Sequence, residues 1–309
     1  MDRVRRQLGC SFFLQNTITT EDVTVAVLDT GIGNHPDFTN RILDFADFVN
    51  GKLGIYDDSG HGTHVAGCVG GSGYASRGRF CGIAPTCRLC IGKVLDLHGE
   101  GSIESMYKGL LWVLQNRIRY QIRVLNISVG IGSSSDKERM AELIGLLDSV
   151  WEQGIVVVCA AGNNGPEEDT ISPLGSSRKV ITVGCHEGGF FGSRQDLCEN
   201  YSGRGSADML YRKPDLVAPG TDVISCNVKC QSGFRGSFRN AYLKKSGTSM
   251  ATPIVSGAAA LFLQKYPYSN NEQLKRKMIY SATDLGDSWN KQGWGMLNIE
   301  KMCGFSNEN

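Results

Sequence analysis

The chain has 309 residues, 41% hydrophobic and 20% charged, and its 32 lysines and arginines offset 31 aspartates and glutamates to a formal charge of +1. So even a balance excludes general electrostatic attraction to nucleic acid or to an anionic membrane surface, and neither is an expected partner. The length exceeds that of most single domains, but no linker-like stretch divides it, so one large domain is expected.

Residues 1–22 read as an N-terminal extension and 23–309 as the domain. After Arg3, Arg5 and Arg6 the only apolar cluster is Ser11-Phe12-Phe13-Leu14, shorter than a signal-peptide core, and no later stretch approaches a membrane span. The expected location is cytoplasmic, with non-standard export left open. Only 29 − 1 = 28 residues precede Asp29, fewer than the roughly 50 that an independently folding pro-domain needs.

The run Val23-Thr24-Val25-Ala26-Val27-Leu28 is apolar and β-branched, which predicts a buried strand delivering Asp29 at its C-terminal end. Gly31-Ile32-Gly33 follows, but Pro36 stands where a dinucleotide fingerprint needs its third glycine, so a nucleotide-binding turn is excluded. Next, Gly60-His61-Gly62-Thr63-His64-Val65-Ala66-Gly67 sets a glycine-flanked imidazole ahead of a helical pattern near 63–71. Strand patterns near 89–95, 122–127, 155–160 and 179–184 then alternate with helical patterns near 103–119 and 137–152. This alternation predicts an α/β fold, a doubly wound parallel sheet with helices on both faces.

Near the C-terminal end, Ser246-Gly247-Thr248-Ser249-Met250-Ala251-Thr252-Pro253 precedes the apolar run Ile254–Leu263. Small residues permit a sharp turn at Gly247, and Pro253 is expected in a first helical turn, which places Ser249 at the mouth of a buried helix. Unpaired N–H groups and the helix dipole there favour negative charge, as an attacking hydroxyl and its oxyanion require. Alone, the stretch reads as an N-cap before a core helix. Asp29 and His61 supply the acid and base that make Ser249 a nucleophile. Beyond it, Ser269-Asn270-Asn271-Glu272 reads as a capping box opening a helix to about Ser281.

The eleven cysteines are odd in number and several lie in apolar runs, as Cys159 does in Val156–Ala160, so reduced thiols in a cytosol are expected. Cys87-Arg88-Leu89-Cys90 lacks a second pair at zinc-finger spacing and is not read as a metal site.

These stretches, together with Leu125-Asn126-Ile127-Ser128-Val129-Gly130 and Ala160-Ala161-Gly162-Asn163-Asn164-Gly165, resemble the subtilisin-like serine proteases, the subtilase family, from about Val23 to Asn298. Within the family the nearest likeness is to intracellular bacterial members. The resemblance implies that Ser249 attacks a peptide carbonyl, that His61 moves the proton, and that Asp29 fixes the imidazole. His64, three residues on, is expected to be structural. Asn163 and the Ser249 N–H would form the oxyanion hole. Gly99-Glu100-Gly101 and Ser128-Val129-Gly130 would bind extended substrate, with Ala160-Ala161-Gly162 as a further wall of the S1 pocket.

Those walls are small and apolar, so an apolar P1 residue is expected. The contrary signal is Glu167-Glu168-Asp169, which would favour a basic P1, as in a processing protease, if one carboxylate turned inward. A catalytically silent peptide-binding relative is the other alternative. No cofactor is expected. Residues 70–80, where exported relatives carry a calcium loop, contain no carboxylate and two arginines, so a high-affinity calcium site is expected to be absent and only a weaker structural cation elsewhere is left open. Residues 226–245, carrying Lys229, Arg235, Arg239, Lys244 and Lys245, read as a solvated surface loop or as a flap over the site.

Overall fold

Strand β1 (Thr24–Asp29) is buried at every position, which explains why its sequence is apolar without alternation. A computed structural model describes residues 1–10, 23–129, 136–206 and 210–304. In it β1 lies inside a seven-stranded sheet with β2 (Ile42–Asp47), β3 (Arg88–Lys93), β4 (Ile122–Ile127), β5 (Val156–Ala160), β6 (Ile181–Cys185) and β7 (Leu216–Ala218). The order is β2-β3-β1-β4-β5-β6-β7, and every pairing is parallel. The chain runs from β1 to one side through β2 and β3, then returns past β1 to build the other side. At such a reversal the crevice outside the carboxyl ends of the strands is the natural ligand site, and Asp29 stands there.

Helices cover both faces. α2 (His61–Gly70) packs against the long α5 (Thr248–Lys265), which lies over β4, β5 and β6. α3 (Ile103–Asn116) and α4 (Lys137–Glu152) form a second pair over β1 and β5. α5 is buried at 16 of its 18 residues, so its apolar run faces core all round. Shorter helices complete the set: α1 (Asp2–Gln7), α6 (Asn271–Ser281), α7 (Trp289–Gln292) and α8 (Ile299–Cys303).

Three details differ from the sequence reading. Pro253 lies inside α5, five residues past its start at Thr248, and its missing N–H leaves the Ser249 carbonyl without the usual helical donor. The capping box of α6 pairs Asn270 with Gln273, one residue later than the Ser269–Glu272 reading. Residues 226–245 keep the exposure of a surface loop over most of 231–240 but carry pairing that the sequence did not signal: β8 (Val223–Cys226) pairs antiparallel with β11 (Tyr242–Lys245), and β9 (Gln231–Ser232) pairs with β10 (Phe238–Arg239) between them. α1 also packs on the body, since Met1, Val4 and Leu8 join the core and Arg3 pairs with the buried Glu187.

Candidate active site

Asp29 is fully buried, and its Oδ1 accepts the Thr30 N–H at 2.8 Å and lies 2.6 Å from Nδ1 of His61. Its Oδ2 is buried without a hydrogen-bond partner. His61 opens α2 behind Gly60, which takes the left-handed conformation at φ 82°. The approach of α2 to β1 depends on a second glycine: a Cβ on Gly62 would lie 2.2 Å from the Gly31 carbonyl and 3.2 Å from Asp29 Oδ1. No side chain fits there.

The start of α2 is held by Asp57, a residue that sequence reasoning missed. Its Oδ1 accepts from Gly60 N at 2.7 Å and from the Thr30 hydroxyl at 2.8 Å, while Oδ2 accepts from Thr63 N at 2.8 Å. Thr30 in turn accepts the Gly62 N–H on its hydroxyl at 2.8 Å. Asp57 therefore accepts the N–H groups of Gly60 and Thr63 at the helix start and ties them to the residue after Asp29, which takes that of Gly62. The available signal was an aspartate four residues before His61. Lys93, register partner of Asp29 on β3, is also fully buried and donates to Thr30 O at 2.8 Å, Leu95 O at 2.8 Å and Asp58 Oδ1 at 2.7 Å. Nothing in the sequence distinguished it from an ordinary strand-end lysine.

His64 faces away from this group. It is wholly buried, and its Nε2 lies 3.0 Å from Val223 O and 3.2 Å from Leu243 O, so it bridges β8 and β11. Burial, and after it the charge of Lys245, push its pKa down to about 3, which keeps the ring neutral.

Ser249 is the second residue of α5 and is half-buried. Gly247, at φ 141°, makes the turn before it and donates its N–H to Gly220 O at 3.0 Å. Asn163 is exposed beyond the end of β5, and its Oδ1 accepts from Thr248 N at 3.0 Å and from the Thr248 hydroxyl at 3.1 Å. That pairing fixes the amide so that Nδ2 is left as the outward donor. A Cβ on Gly247 would sit 3.5 Å from Nδ2 of Asn163 and 3.8 Å from the Ser249 nitrogen, so both donors border the turn at Gly247, whose φ of 141° is what requires glycine.

The remaining predicted residues lie along the same edge of the sheet. Gly99, at φ 80°, and Glu100 form a tight turn after β3 in which Asp96 N donates to Glu100 O at 2.9 Å. A Cβ on Gly101 would meet Leu95 Cδ2 at 2.4 Å. Ser128 and Val129 are buried just beyond β4, with the Ser128 hydroxyl accepting from Asn126 at 2.8 Å; Gly130 lies outside the described residues. Ala160 and Ala161 are buried, and Ser172 bonds both of their carbonyls, at 2.6 and 2.8 Å. Gly162 follows at φ 97° and accepts the Gly203 N–H at 2.8 Å. The sheet thus gathers Asp29, Ser128 and Ala160 at the carboxyl ends of adjacent strands, and α2 and α5 bring His61 and Ser249 to the same edge.

Comparison with known proteins settles the family. Residues 20–295 match the model of the subtilase family, Peptidase_S8. The chain belongs to the subtilase family. It is 39% identical over 297 residues to serine protease AprX of Bacillus subtilis (strain 168), covering 92% of this chain and 66% of AprX, just under two thirds of that protein. Against subtilisin Savinase of Lederbergia lenta it is 36% identical over 283 residues, covering 92% of this chain and 91% of Savinase. The crystal structure of a cold adapted subtilisin-like serine proteinase superposes with a TM-score of 0.66 at 30% identity, over 89% of this chain and 86% of that one. This subtilase is accordingly a serine protease, a hydrolase acting on protein substrates.

Proposed function

We propose that this subtilase is an endopeptidase that works through an acyl-enzyme. Ser249 attacks the scissile carbonyl while His61 takes its proton and returns it to the leaving amine. Asp29 holds the Nδ1–H tautomer of His61 and stabilises the imidazolium. Nδ2 of Asn163 and the Ser249 N–H receive the oxyanion. The observation that carries this reading is the 2.6 Å contact of His61 Nδ1 with Asp29 Oδ1, at the sheet edge where α5 presents Ser249. It is tested with a fluorogenic peptide and a sulfonyl fluoride. Turnover that the reagent abolishes, with one label on Ser249, supports it, whereas a protein that binds peptide without cutting it is the silent relative.

Extended substrate lies between the 99–101 turn and the strand end at 128–129, with its P1 side chain against Val129, Ala160, Ala161 and Gly162. The preference is for apolar P1. Glu167, Glu168 and Asp169 are all exposed, and Glu168 accepts from Asn290 at 2.9 Å, which supports a solvated acidic turn over a charged pocket floor. Pocket fit supplies about 1 to 3 kcal/mol of discrimination, so the preference is broad. A peptide library read by mass spectrometry distinguishes the cases: a profile dominated by Arg and Lys, lost on neutralising the three carboxylates, is that of a processing protease.

No calcium requirement is proposed. At the 70–80 stretch Asp37 accepts from Gly73 N at 2.9 Å and Ala75 N at 3.0 Å, a single carboxylate where calcium wants several anionic oxygens. Calcium added to metal-stripped protein should leave the melting temperature unchanged. Among the described residues no helix is long and apolar enough to cross a membrane. All eleven cysteines are free and ten are buried, which supports action in a reducing compartment such as the cytoplasm.

A further inference from the structure

Beside the C-terminal end of α2, where Cys226 borders Gly67 and Gly71 and Asp37 accepts from Gly73, three side chains from distant parts of the sequence meet in the interior. His35 and Asp37 lie on the turn after β1, and Cys226 ends β8; all three are buried. Nδ1 of His35 is 3.7 Å from Asp37 Oδ1, the Cys226 thiol is 3.6 Å from Asp37 Oδ2, and the three ligand atoms lie within 4.8 Å of one another. Among the described residues this is the one group of its kind. We propose that it is a binding site for a thiophilic divalent cation of the zinc and cadmium class.

Geometry, charge and donor chemistry agree on the class. Tetrahedral bonds of about 2.0 to 2.3 Å to nitrogen, oxygen and sulfur hold neighbouring ligand atoms roughly 3.3 to 3.7 Å apart; His35 approaches Oδ1 and Cys226 approaches Oδ2 at such separations, which suits an ion that takes both oxygens of Asp37 together with the imidazole and the thiolate. The Tyr242 hydroxyl donates to both Asp37 oxygens, at 3.1 and 2.9 Å, and orients that carboxylate. Without metal the Asp37 carboxylate is a buried negative charge held by hydrogen bonds from Gly73 N, Ala75 N and Tyr242, with no ion pair to lysine or arginine among the described residues: Arg41 gives its guanidinium to the backbone carbonyls of Asp37, Gly70 and Cys87. A neutral imidazole, a carboxylate and a thiolate carry two negative charges, which a divalent cation cancels, so the loaded site is neutral where the free one is not. A thiolate and an imidazole select zinc or cadmium over calcium.

Binding releases the Cys226 proton to solvent as the sulfur–metal bond forms, with no change of oxidation state. Burial holds the Cys226 pKa well above its ordinary value, so the metal has to displace this proton and affinity rises with pH. The Asp37 N–H, which donates to His35 Nδ1 at 3.1 Å, gives up that bond; His35 Nε2 keeps its contact with Ala241 O at 2.8 Å. The ion would clamp the turn after β1 to β8 and β11, the elements that flank α2 and lead into the Ser249 turn.

The test is a cadmium titration of the reduced, metal-stripped full chain, read by the thiolate-to-cadmium absorption band, by proton release and by melting temperature. The first equivalent should show a single-thiolate band, release one proton and raise the melting temperature; zinc should compete, and calcium in about hundredfold excess should not. Cys226→Ala should abolish that equivalent, and His35→Gln, which keeps the thiol, should weaken it on the order of tenfold or more. The proposal is overturned if the first equivalent survives in Cys226→Ala, if His35→Gln binds as tightly as the parent, or if Cys87→Ser is the variant that removes it. If Cys226→Ala does not fold, the His35→Gln and Cys87→Ser titrations decide.

Discussion

Gly62 lies so close to Gly31 that a methyl group on the one would be 2.2 Å from the carbonyl oxygen of the other, and this contact lets His61 reach Asp29 at 2.6 Å. The two glycines act as a spacer of fixed, minimal thickness between β1 and α2. Gly62→Ala should therefore push the helix start away from Asp29, costing about 1 to 3 kcal/mol of stability and a larger share of kcat. Thermal melting and peptide hydrolysis measured on the same preparation check this. Full activity in Gly62→Ala would show that the contact is slack.

Asn163→Ala removes the donor beside Gly247 and leaves Thr248 without its acceptor. A fall in kcat of about 10²- to 10³-fold with KM little changed is expected, the loss that removing one oxyanion donor causes in subtilisin. A change below about threefold would take Asn163 out of the reaction.

His64 makes stability pH-dependent. In the unfolded chain its imidazole takes a proton near pH 6.5, whereas in the folded protein it does so only near about 3. Between these values the unfolded state binds the proton and the folded state does not, so stability is complete above pH 6.5 and falls as pH drops through the window, by at most on the order of 5 kcal/mol. Urea unfolding of the sulfonyl-fluoride-blocked protein at a series of pH values gives the slope. His64→Gln should lower stability at pH 7 and flatten that slope; an equally steep slope in the variant would assign it to other groups.

Lys275 holds together three segments that meet on Asp215. Its ammonium donates to the carbonyls of Arg178, Lys179 and Val180 at 3.0, 3.0 and 2.8 Å and lies 3.0 Å from Asp215 Oδ1, while Lys213 holds Oδ2 at 2.7 Å. Burial lowers the Lys213 pKa to about 8, and the positive charge of Lys275 adds to that effect. Lys275→Met should cost several kcal/mol, since it leaves the buried Asp215 carboxylate with Lys213 as its one charged partner beside the Thr182 N–H. It should also raise the Lys213 pKa. A melting temperature equal to that of the parent would mean that Lys213 suffices alone.

The parts legible in the sequence are those where one segment decides the outcome. The unbroken apolar run of β1 ends in Asp29 because a strand buried on both faces has no reason to alternate, and the glycines around His61 and before Ser249 mark turns that side chains would block. β2 escaped notice because Asp44 and Asp47 interrupt its apolar pattern and it is only half-buried, and β7 because three residues carry no period. Pro253 misled because α5 tolerates it in the interior, where proline removes the bond to the Ser249 carbonyl. Contacts across long separations were out of reach altogether. Cys226 and Asp37 are 189 residues apart, and neither carries a local signal that the other is its neighbour. Asp57 lies between these cases, since its place before His61 hinted at a cap but its bond to Thr30 depends on the fold.

The central claim is that Ser249 is the nucleophile of a serine endopeptidase, and the most direct measurement compares parent and Ser249→Ala on a fluorogenic peptide while a sulfonyl fluoride or phosphonate probe is followed by intact mass. The parent should hydrolyse the peptide and gain one covalent label with loss of activity, and Ser249→Ala should melt as the parent does, take no label and show turnover lower by several orders of magnitude. Undiminished hydrolysis by Ser249→Ala, or a label that remains on it, would contradict the assignment.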